Sequence, residues 1–128
     1  MSEQNKIAVI ILSDPENGGE EALGRLFNGL AATYDFQRNG DDVRIYFQGA
    51  GTRWTGQITQ TDHPVYSLYQ AVKDKVVGVS CGCADVFGAR ESAEKNGFDL
   101  ITDSSIPGTS GVPSIAKIIA DGYQVLTF

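Results

Sequence analysis

The chain is poor in the residues that build metal centres and disulfide frameworks: one histidine and two cysteines in 128 residues. Cys81 and Cys83 lie one residue apart, which is not the spacing of a secreted disulfide scaffold. Together with His63 they fall short of a closed zinc site, which draws on four regularly spaced ligands. No metal and no cofactor is expected. Positive charge is also scarce, with Lys and Arg numbering 10 against 16 Asp and Glu, for a net charge of −6. Nucleic-acid binders usually carry a basic face, and anionic lipid also selects for one, so neither partner is expected. Long apolar runs are missing as well. The run Ile7–Leu12 is far short of the ~20 residues that span a bilayer. The opening Met-Ser-Glu-Gln-Asn-Lys has no basic segment with an apolar stretch behind it. The expected setting is the cytoplasm, with no membrane anchor.

What remains is ordinary globular composition, 41% hydrophobic and 20% charged. The length fits a single domain over 1–128 and suffices for a core without staples.

The apolar residues alternate between two periods. Lys6–Leu12 is a continuous, β-branched run, as in a strand buried on both faces. Leu23, Leu26, Phe27, Leu30, Ala31 and Tyr34 then fall on one helical stripe, stopped at Asn39-Gly40. Val43–Gln48 reads as the second strand. A helix opens at Asp62-His63-Pro64 and carries Val65, Leu68, Tyr69 and Val72. Val76–Ser80 is the third strand, followed by a helix over about 84–96 that Gly97 ends. Leu100-Ile101 is a short fourth strand. Val112, Ile115, Ile118 and Ile119 mark a last helix, stopped by Gly122, and Tyr123–Phe128 is the fifth strand. This alternation predicts right-handed βαβ crossovers and a mostly parallel five-stranded sheet covered on both faces. It leaves the strand order open.

Ligands of open α/β sheets bind outside the carboxyl ends of the strands. The loops expected there are 13–20, 49–62, 81–84 and 102–111. Cys81-Gly82-Cys83 follows the third strand directly and precedes a helix, where unpaired N–H groups favour a thiolate. The thiolate is the reactive form, which suits nucleophilic or persulfide chemistry. The bland alternative is two small buried hydrophobes at a tight turn.

Gly49-Ala50-Gly51-Thr52 has the look of a phosphate-cradling turn but lacks the third glycine and the lysine of such loops. Arg53 and Trp54 beside it fit either a ligand or a subunit interface. Ser13 and Asp14 lie at the end of the first strand, Asp14 most simply as a helix cap. Ser110 closes a polar stretch, 103–111, that suits a lid or an anion site. Ser13, Asp14, Gly49, Gly51, Thr52 and Ser110 are the ligand-binding candidates. Trp54, Tyr66 and Tyr69 are candidates for exposed aromatic surface that self-association would cover.

The first strand Lys6-Ile7-Ala8-Val9-Ile10-Ile11-Leu12, the cysteine after the third strand, and the tail from Gly111-Val112-Pro113 through Ala120-Asp121-Gly122-Tyr123-Gln124-Val125 resemble the DsrE/DsrF-like family over nearly the whole chain. The resemblance implies a flavodoxin-like three-layer α/β/α fold and a homotrimer or homohexamer. Some members carry sulfur as a persulfide on one cysteine in a relay for tRNA thiolation or sulfur oxidation, handing it to partner proteins. Cys81 matches the position of that cysteine, with Cys83 as a resolving or second thiol. The function this implies is a sulfur carrier or sulfurtransferase-like protein. The alternative is a non-catalytic module that binds a small ligand or partner in the same cleft.

Overall fold

The computed structural model describes residues 4–128. Its centre is one five-stranded, wholly parallel sheet in the order β4-β3-β2-β1-β5. The strands are β1 (Lys6–Ile11), β2 (Asp42–Phe47), β3 (Val76–Ser80), β4 (Leu100–Ile101) and β5 (Gln124–Thr127). β1 sits in the interior, paired Ile7 to Val43 on one side and Ile7 to Gln124 on the other. Its run of buried residues is what such a position requires, because both faces are covered.

The two layers over the sheet are unequal. One face carries α1 (Gly19–Arg38), α2 (Tyr66–Val72), α3 (Cys81–Val86) and α4 (Arg90–Lys95). Leu26, Leu30, Ile45, Phe47, Trp54, Ile58, Val79 and Phe98 form its core. Among the described residues the other face carries only α5 (Ile115–Ala120), with Ala8, Ile10, Tyr46, Ile118 and Tyr123 beneath it. This is the three-layer, flavodoxin-like α/β arrangement. The first three crossovers move the chain steadily from β1 to β4, and α5 then returns it across the opposite face to β5. The connections therefore part between β1 and β5, the place where such sheets usually open a crevice.

A cavity of about 270 Å³ lies there, lined by Leu12, Ser13, Arg25, Thr127 and Phe128. The Phe128 carbonyl accepts hydrogen bonds from Leu12 N–H at 2.8 Å and Ser13 N–H at 3.3 Å. Under α5, the Tyr123 hydroxyl donates to Asp42 Oδ2 at 2.5 Å, while Lys6 and Arg44 lie 4.6 and 4.4 Å from its ring centre. Burial, and then that hydrogen bond, push Tyr123 up to about 12.

Four expectations are corrected. Segment 49–62 is not irregular: Gly49–Gly56 is a 3₁₀ helix with Gly51, Thr52, Trp54 and Thr55 buried. The helix expected over 84–96 is two helices, broken at Gly88, whose φ of +69° no helix accommodates. The last helix starts at Ile115, because Val112 is engaged in an antiparallel bridge with Ser104. Trp54 and Tyr69 are core residues at 2% and 7% exposure, not surface aromatics, and Tyr66 is half-buried. On the stripe of α1, Phe27 and Tyr34 are exposed aromatics. Among the described residues no helix is long and apolar enough to cross a membrane.

Candidate functional site around Cys81

β3 delivers the chain to the sheet's carboxyl edge at Ser80, and α3 begins at once with Cys81. Both cysteines are free. Cys81 is 3% exposed while Cys83 is half-buried. Residues i and i+2 of a helix point to different sides. A Cys81–Cys83 disulfide therefore requires α3 to unwind, and Cys83 is not poised as a resolving thiol in this conformation.

Two of the N–H groups expected to be unpaired at this turn are already used. Gly82 N–H donates to the Gly111 carbonyl at 2.7 Å, and Cys83 N–H donates to Ser80 Oγ at 3.3 Å. Neither of these two groups is free to serve a sulfur anion at Cys81. The first contact also explains Gly82. A Cβ there would crowd Gly111 O at 3.1 Å and the Thr109 Cβ at 3.2 Å, so glycine lets loop 104–111 lie this close to α3 without displacement.

That loop brings Ser110 over the buried thiol. Ser110 Oγ is 3.1 Å from Cys81 Sγ and 2.7 Å from Asp85 Oδ2. Arg90 Nη1 in turn donates to Asp85 Oδ1 at 3.0 Å, and Arg90 Nε lies 3.6 Å from Glu94. The Ser110 hydrogen bond first, and Arg90 second, hold the Asp85 carboxyl below the usual carboxylate range. Arg90 is held above its ordinary value by Asp85 and, next, by the Cys81 sulfur. The four groups thus form one chain from a buried thiol to an exposed ion pair.

The other candidates gather elsewhere. Ser13 accepts from the Trp54 indole N–H, at 2.9 Å to its carbonyl and 3.3 Å to its hydroxyl. Asp14 does not cap α1, whose N-cap is Gly18. It accepts from Glu16 N–H and the Asn17 amide, and Arg53 Nη1 reaches both its oxygens at 3.1 Å. The Asn17 bond above all keeps Asp14 low. Arg53 Nε also donates to the Phe87 carbonyl, which ties this cluster to the end of α3.

Two residues of the turn after β2 are packed into the fold. Gly51 is packed against the Ile11 carbonyl, and Thr52 is wholly buried with its hydroxyl on Gly49 O. Gly49 provides the φ of +57° that leaves β2. His63 packs edge-on against Trp54 at 6.1 Å, and burial lowers its pKa. A groove of about 510 Å³ runs between the 3₁₀ segment and α4, lined by Gly56, Thr59, Gln60, Ser92 and Asn96 rather than by the cysteines.

Sequence reasoning missed Asp85 and Arg90. With the helix starting at Cys81 rather than about Ala84, Cys81 and Asp85 are i and i+4, neighbours on one face. That spacing was the available signal.

The DsrE/DsrF-like family model matches residues 5–128. An uncharacterised protein of Methanocaldococcus jannaschii is 28% identical over 101 residues, 79% of this chain and 78% of that one. Among solved structures, the ychN protein from E. coli superposes with a TM-score of 0.53 at 18% identity, over 96% of this chain and 99% of that one. A likeness at that identity speaks to the fold.

Proposed function

The chain belongs to the DsrE/DsrF-like family, and on that footing we propose that it is a cytoplasmic sulfur carrier holding a persulfide on Cys81. The observation that carries the reading is a free, buried thiol at the carboxyl end of β3, roofed by a loop that sets a serine hydroxyl 3.1 Å from its sulfur. A buried thiol under a loop suits a group that must be shielded from other thiols. In the loading step the Cys81 thiolate attacks the outer sulfur of a donor persulfide. One S–S bond forms as the donor's breaks, and the donor leaves as a thiolate.

Incubation with a cysteine desulfurase and cysteine is expected to add about 32 Da, one sulfur atom, which a reductant removes. Cys81→Ser abolishes the adduct, and Cys83→Ser leaves its formation intact. If the adduct tracks Cys83, the residue assignment is wrong and the class stands. If neither cysteine accepts sulfur in folded protein, the carrier reading fails and the small-ligand or partner-binding module replaces it.

We also propose a homotrimer or homohexamer that works with a sulfur-relay partner. The aromatic surface comes from Phe27, half exposed, and Tyr34, one face of α1, with Leu126 exposed on the edge strand β5. Sedimentation at micromolar concentration is expected to show a species of several chains. A lone species near 13.7 kDa overturns this.

A further inference from the structure

Ser110 has one hydroxyl proton and two acceptors within reach, Cys81 Sγ at 3.1 Å and Asp85 Oδ2 at 2.7 Å. An ionised carboxylate is the stronger acceptor. The proton therefore points to Asp85, and Ser110 offers Cys81 only a lone pair. That arrangement suits a neutral thiol, whose S–H donates to Ser110 Oγ. A thiolate or persulfide anion at Cys81 has no proton to give across this contact, so Ser110 must turn its own proton from Asp85 to the sulfur. The same carboxylate also holds Arg90, the nearby cation that would otherwise serve the anion.

We propose that Asp85 is a brake on Cys81: it keeps the Ser110 proton and the Arg90 charge for itself and so withholds from the sulfur the two groups that would serve it as an anion. The inference rests on Cys81 being the working thiol, and it adds how that thiol is controlled. Asp85 is a positioning residue, acting on the sulfur through Ser110 and Arg90. It is 40% exposed and accessible from outside, so a cationic group brought against it releases both restraints at once. The remaining charged groups of the neighbouring elements are committed. Arg53 of the 3₁₀ segment holds Asp14 and Glu16, and Glu94 of α4 holds Arg90. Cys83, on the same helix, is the other titratable neighbour.

The test is the pH profile of iodoacetamide alkylation of the full chain, with each thiol followed separately by mass. Asp85→Asn and Asp85→Ala are expected to speed modification of Cys81 by about tenfold at pH 7 and to move its profile to lower pH. Arg90→Ala is expected to slow it. Adding Ser110→Ala to Asp85→Ala removes the donor and takes back part of the gain. Cys83 serves as the internal control, with its rate unchanged. An equal rise at both thiols signals local opening and overturns the brake, as does an unchanged or slower Cys81 rate in the Asp85 variants. The two readings fail separately. A Cys81 that never takes up sulfur yet quickens in Asp85→Asn sinks the carrier function and leaves the brake. Sulfur uptake with no rate change does the reverse.

Discussion

Trp54→Ala is expected to lower the unfolding free energy by about 3–5 kcal/mol, the range for deleting a large buried aromatic. The indole is 2% exposed and shares a core with Ile58 and Leu26, with His63 edge-on against its ring. Its N–H donates to the Ser13 carbonyl at 2.9 Å. One side chain therefore joins the 3₁₀ segment after β2 to the end of β1, and both connections go at once. Trp54→Phe keeps most of the ring and loses the hydrogen bond, leaving a buried carbonyl without that partner, for about 1–3 kcal/mol. Urea unfolding measures both. A loss of less than about 1 kcal/mol for the alanine variant contradicts the account, since a domain of this kind has only about 5–15 kcal/mol in total.

Gly51→Ala is expected to cost about 1–3 kcal/mol or more, as overpacking does in a core that cannot shift. The added Cβ runs into the Ile11 carbonyl oxygen, with Leu12 Cα only 3.2 Å away. Both are backbone at the end of an interior strand, so no side chain can swing aside. The contrast is Gly24→Ala. Gly24 lies inside α1, and a Cβ there meets nothing within 4 Å. Alanine at that position is expected to stabilise by about 0.5–1 kcal/mol, because the unfolded chain loses freedom and the helix gains propensity. The same one-carbon change thus has opposite signs at two glycines, and thermal unfolding of the pair reads it. If Gly51→Ala is neutral or stabilising, the close approach of the 3₁₀ segment to β1 is wrong.

Much of the architecture was readable from short-range pattern. The β-branched run at 6–12 gave the interior strand, and Asn39-Gly40, Gly97 and Gly122 marked helix ends, because burial and turn chemistry act over a few neighbouring residues. What failed depended on partners far along the chain. Nothing local to Trp54 announces that its N–H finds Ser13, 41 residues earlier. Gly88 interrupts a continuous apolar pattern, so one helix was expected where two form. The placement of β5 beside β1 is a choice of pairing that periodicity does not encode. The site shows the same division. Cys81 was legible from its position after a strand. Its contact with Ser110 spans 29 residues, and Asp85 was hidden by placing the start of the helix three residues too late.

Loop 104–111 is fastened to the thiol's helix at two points, Gly111 to Gly82 and Ser110 to Cys81. Such a fastening is reciprocal, since two sites that share a contact exchange the same coupling free energy in both directions. Whatever grips the loop from outside alters the thiol, and whatever is attached to the thiol alters the loop's grip. The loop's exposed tip, Ile106-Pro107-Gly108-Thr109, is thereby coupled to whatever alters the contact between Ser110 and Cys81.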